Sequence, residues 1–141
     1  MKTTVNRTLN DVESDFEDRF GKATALNNTK PLPDTPQHQE LMRLLFDLCQ
    51  DARDLLISLS EERGTDDVAF EEQQPFLDRY GGLLESVAAR LLGSTEQNDS
   101  IAQDIARVAQ YKAHLSVRKA GLNNAIVKRK GQREAFLAYA V

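Results

Sequence analysis

The sequence predicts an all-α protein: a helical bundle of three main long helices, with a short, loosely attached helix before them and a helical extension after. Three observations carry this. Apolar residues recur at spacings of three and four along most of the chain. No segment alternates apolar and polar residues with the period of two that a half-buried strand needs. No Asn-Gly or Asp-Gly pair is present to close a two-residue hairpin. At 141 residues the chain has the usual size of one domain. Such a chain buries about two-thirds of the surface its unfolded form exposes, so it needs no disulfide or metal to fold. It has no Trp and only nine Tyr and Phe, so its core must be mostly aliphatic.

Residues 1–34 read as an N-terminal arm that ends in a proline-rich linker, NNTKPLPDTP. Pro31, Pro33 and Pro36 forbid a helix through that stretch. Before it, Leu9, Val12, Phe16 and Phe20 share one helical face, which predicts a helix from about 9 to 24 capped by Thr8 or Asn10. Residues 35–141 form the bundle domain. Thr35 is a good N-cap and Pro36 suits the first helical position. Leu41, Leu45, Leu48, Ala52, Leu55 and Leu59 then repeat as the seam of a coiled-coil heptad. Met42, Leu44, Cys49 and Leu56 widen that seam to the breadth of a bundle interior. Gly64 closes this helix, predicted over about 36–63.

The stretch GTDDVAFEEQQ connects to the next helix, with Val68 and Phe70 expected over the bundle end. Pro75 opens a helix over about 75–92, with Phe76, Leu77, Tyr80, Leu84, Val87 and Leu91 inward and Gly93 at its end. Gly81-Gly82 in its middle costs roughly 1 kcal/mol per glycine relative to alanine, which points to close approach of a neighbour or to a kink. Ser94 or Asn98 caps the third long helix, about 99–120, with Ile101, Ile105, Val108 and Leu115 in one stripe. Beside that stripe lie Ala102, Ala106, Ala109, Ala113, Ser116 and Ala120. Small residues let helix axes approach closely, so this strip is expected to sit against another helix. Gly121 and Asn123-Asn124 weaken the pattern, and Leu122, Ile126, Phe136, Leu137 and Ala140 resume it. A bend or break near 121–124 is therefore expected, followed by an extension over about 123–139.

Reactive groups are sparse. Neither His38 nor His114 belongs to an H-E-x-x-H or E-x-x-H pair, so both read as surface or boundary histidines. No glycine-rich phosphate loop and no G-x-S-x-G occurs. No catalytic residue, cofactor or metal site is predicted, and the expectation is a protein that is not an enzyme. Asp47, Asp51 and Asp54 share one helix face, with Arg43 one turn before Asp47. They read as a solvated face or one that meets a basic neighbour. Cys49 lies inside an apolar pattern, has no disulfide partner, and reads as a small core residue. No apolar run is long enough to span a membrane and no signal-peptide core is evident, so a cytoplasmic protein is expected.

Charge is the most uneven feature. Residues 1–106 hold ten Lys/Arg against twenty-one Asp/Glu, and residues 107–141 hold eight against one. The stretch VRKAGLNNAIVKRKGQR, 117–133, carries six cations and no acid. It either balances acidic helices internally, or meets an acidic or amphipathic partner, or touches nucleic acid. The charges spread around a helix and aromatic residues do not interleave with them, which disfavours nucleic acid. The expected role is a protein-binding module — adaptor, chaperone or regulator — that works through helix–helix contacts. The candidate partner-binding residues are Arg118, Lys119, Lys128, Arg129, Lys130, Arg133, Phe136 and Leu137. A self-assembling structural protein, most simply a homodimer, and a nucleic-acid-associated regulator are the alternatives. In being small, acidic and helical with an apolar tail (Phe136, Leu137, Tyr139 and Val141), the chain resembles flagellar export chaperones at the level of fold.

Overall fold

Helical spacing becomes four helices: α1 Leu9–Asn28, α2 Pro36–Arg63, α3 Gln74–Leu92 and α4 Asp99–Ala140. The computed structural model describes residues 7–63, 71–95 and 97–140, without the side chains of residues 63, 129 and 132–140. Gly64, Val68 and Phe70 fall outside the described residues. Among those described there is no strand, so the all-α bundle stands as the periodicity predicts. No helix is long and apolar enough to cross a membrane among the described residues.

The caps follow local chemistry. Thr8 Oγ1 accepts from the Asp11 N–H while Asp11 reaches back to the Thr8 N–H, a reciprocal capping box. Thr35 Oγ1 accepts from the His38 N–H at 3.2 Å, and Asn98 Oδ1 accepts from the Ile101 N–H at 3.0 Å. The α2 leucine seam is fully buried, together with Leu77, Tyr80, Leu84, Val87 and Leu91 of α3. Tyr80 fits this apolar interior because its hydroxyl donates to the Leu45 carbonyl at 2.6 Å. At Gly81 a Cβ would lie 3.3 Å from Leu115 Cδ2, so α4 does approach α3 closely there; at Gly82 nothing among the described residues lies within 4 Å.

Two elements differ from the sequence expectation. The N-terminal helix is longer than expected and firmly seated along α2. Leu9, Val12, Phe16 and Ala23 enter the common core. The Phe16 ring stacks on Phe20 at 6.1 Å and meets Phe76 edge-on at 5.3 Å. The Arg79 guanidinium lies 5.1 to 5.9 Å from all three ring centres and also bonds Glu17. Each such cation–π contact is worth about 0.5–1 kcal/mol at an exposed site.

The second difference is α4, which runs without a break for 42 residues, about 63 Å. Gly121 is helical, and Leu122 and Ile126 just beyond it are buried. Those two contacts outweigh the roughly 1 kcal/mol that one helical glycine costs. The buried stripe is Ile101, Val108, Leu115 and Leu122, every seventh residue, with Ile126. The strip of small residues therefore falls on the opposite side. Ala102, Ala106, Ala109, Ala113, Ser116 and Ala120 are all exposed among the described residues, so they are not the face that packs against α2 or α3.

Candidate partner-binding surface

The basic residues of α4 divide into two groups. Lys119 Nζ pairs with Asp78 at 2.7 Å, Lys130 Nζ with Glu71 at 2.6 Å, and Arg107 with Asp104 at 3.6 Å. These join the basic helix to acidic residues before and within α3, and within α4 itself. Lys112, Arg118 and Lys128 make no ion pair among the described residues. The side chains of Arg129, Arg133, Phe136 and Leu137 fall outside the description, although their backbone is helical. The eight residues singled out from sequence are thus strung along one helix and do not converge on a point.

What α4 presents outward is the strip of small residues, continued by Val117 and Val127, which are 67% and 69% exposed. A helix face of this kind offers little side-chain bulk and lets a second helix approach closely. The strip itself was legible in the sequence. Which way it faces was not, because the small strip and the buried stripe share the same spacing.

Along the other flank of α4, its seam with α2 holds two recesses separated by Phe46 and Tyr111, whose rings are 6.3 Å apart. The larger, about 450 Å³, is lined by residues including Asp34, His38, Arg43, Asp104 and Arg107. His38 is buried there, a correction to its reading as a surface or boundary residue. Its Nε2 lies 2.8 Å from Asp104 Oδ2, so the pair clamps the first turn of α2 to α4. A carboxylate bound at Nε2 fixes the tautomer with its proton there. The other nitrogen, Nδ1, is buried with no hydrogen-bond partner among the described residues. Shut off from the surface, Nδ1 is not placed to exchange a proton with a molecule in the recess. Ser100 donates to Asp34 at 3.2 Å and does not face His38 Nε2 as a nucleophile would face its base. The smaller recess, about 220 Å³, is lined by Phe46, Cys49, Gln50, Arg53, Gln110, Tyr111, His114 and Arg118. Burial raises the Cys49 thiol above its ordinary value and makes it a poor nucleophile at neutral pH.

The Asp47–Asp51–Asp54 face meets a basic neighbour that the sequence did not identify. Arg43 bonds Asp47 at 3.0 Å, as its spacing implied. Asp51 and Asp54, in contrast, are buried under the start of α1. Arg7 reaches Asp54 at 2.6 Å and Asp51 at 3.0 Å, and Arg19 reaches Asp51 at 2.6 Å. Both arginines use Asp51 Oδ1, and Oδ2 has no hydrogen-bond partner among the described residues. Desolvation outweighs the two arginines and holds the Asp51 carboxyl above its usual range. No group of three or more metal-ligating side chains forms a candidate metal site among the described residues.

No family model matches the chain, and neither a curated protein nor a solved structure does.

Proposed function

We propose that the protein is a helical binding module of the cytoplasm, without catalytic activity, that acts by holding a helix of another protein along α4. The observation that supports this best is the exposed strip Ala102, Ala106, Ala109, Ala113, Ser116 and Ala120. Helix propensity alone favours alanine on a surface, but it does not require a 4-3-4-3-4 register held for five turns. That register is what a second helix packing along the first would need. Lys119, Lys130 and Arg107 are already engaged within the protein, and the acidic remainder of the chain repels phosphate. Both points weigh against a nucleic-acid surface. A second copy of the chain is one candidate holder of the strip, since a symmetric dimer pairs the same patch on both copies.

The test is Ala113→Glu, which adds a charge and bulk at an exposed position. The tagged chain and the variant are purified from the native host and the bound species compared. The proposal expects a defined partner, or a second copy, to be lost from the variant while its helical content and melting temperature stay unchanged. An identical set of bound species would refute it.

A further inference from the structure

The two recesses on the α2–α4 seam differ in charge, and the difference identifies what the smaller one accepts. The larger recess sets Asp34 and Asp104 beside Arg43 and Arg107, so its charges are met from within the protein. Among the described residues the smaller recess is lined by Arg53, His114 and Arg118 and by no carboxylate. Arg53 directs Nε and Nη2 to Asp54 at 3.1 and 3.0 Å, which leaves Nη1 uncommitted among the described residues. Arg118 has no ion pair among them at all. The amides of Gln50 and Gln110 add further donors from both helices. Phe46, 47% exposed, forms an apolar shoulder.

We propose that this recess receives a carboxylate side chain of the partner protein, Glu or Asp, with an adjacent aliphatic side chain resting on Phe46. Arginine guanidinium groups form the strongest hydrogen bonds with carboxylates, and a cation without a counter-charge in a partly enclosed recess favours an anion. The position fits the reading of α4 as a partner-binding helix, on which this inference rests. Gln110 is one helical turn from both Ala106 and Ala113 and so borders the small strip, and His114 lies one turn from Gln110 on the side towards α2. A partner helix seated on the strip therefore meets the edge of the recess at Gln110 and reaches into it with a flanking side chain.

The experiment is an amide ¹H–¹⁵N titration of the full chain with three separate probes. These are N-acetyl-Glu-Leu-amide, N-acetyl-Gln-Leu-amide and inorganic phosphate, each to about 50 mM, well above a millimolar dissociation constant. The Glu peptide is expected to shift Cys49, Gln50, Arg53, His114 and Arg118 along saturating curves, and to bind about tenfold or more tightly than the Gln peptide. Arg118→Gln and, independently, Gln110→Glu should abolish the response. Both positions are at least partly exposed, so neither variant should unfold. Absent shifts, equal shifts from both peptides, or shifts that survive both variants would overturn the proposal. Tighter binding of phosphate than of the Glu peptide would also overturn it, by assigning the recess to a phosphoryl group. No partner is present in this titration, so its failure is separate from failure of the Ala113→Glu test.

Discussion

Gly81 and Gly82 are neighbours in α3 but face different surroundings. An alanine methyl at Gly82 meets nothing within 4 Å among the described residues, whereas at Gly81 it meets Leu115 Cδ2 at 3.3 Å. Gly82→Ala is therefore expected to stabilise the protein by about 1 kcal/mol, a rise of about 4 °C in the melting temperature. Gly81→Ala should gain less, because Leu115 has to move. Equal gains in thermal melts would contradict the close approach of α3 and α4. Asp51 offers a second test. Its carboxyl is held above the ordinary value by burial, so the folded state binds a proton more tightly than the unfolded state does. Stability from this group therefore falls as pH rises through the interval between the ordinary and the raised value. Asp51→Asn resembles the neutral acid and should melt above the wild type at pH 7, with an advantage that shrinks towards pH 4. An advantage that grows on acidification would mean that Arg7 and Arg19 dominate over burial. Cys49 should react with thiol reagents at pH 7 much more slowly than a free cysteine, and rapid labelling would place it outside the packed seam.

At the scale of elements, the start of α2 was legible in detail, because Thr35-Pro36 is a strong start signal and the leucine heptad admits one inward face. The packing of α1 was not. Its anchors are long-range pairs: Arg7 and Arg19 to carboxylates on α2, and Phe16 to Phe76 and Arg79 on α3. No local pattern in residues 1–34 names those partners, although three aspartates on one face of α2 carried the hint. The break expected near 121–124 followed from propensity alone, and packing of Leu122 and Ile126 overrode it. The two faces of α4 then make a paired prediction. Leu115→Ala removes a buried side chain and should cost about 2–5 kcal/mol by chemical denaturation. Ala106→Glu on the opposite face should cost less than about 0.5 kcal/mol. Comparable losses would mean that the strip is internal.

Across the whole molecule, a net charge of −4 conceals a strongly acidic majority and a basic last quarter. Ion pairs between α4 and the acidic residues near α3 absorb part of that imbalance, and each exposed pair contributes only about 0.2–1 kcal/mol. Among the described residues, cations without such pairs remain at Lys112, Arg118 and Lys128, on a helix much longer than α3. The candidate surface was half visible in the sequence: the basic segment and the alanine spacing could be read there. The recess around Arg118 could not, because Gln50 and Arg53 reach it from another helix.

The most direct measurement is site-specific photo-crosslinking in the native host, with a benzophenone side chain placed at Ala113 on the outward face of α4. The control site is Asp18 on α1, which is also exposed, at 66% for its side chain. The account predicts one discrete crosslinked product from position 113, with a partner or a second copy, and none from position 18. No product from 113, or the same products from both sites, would contradict it.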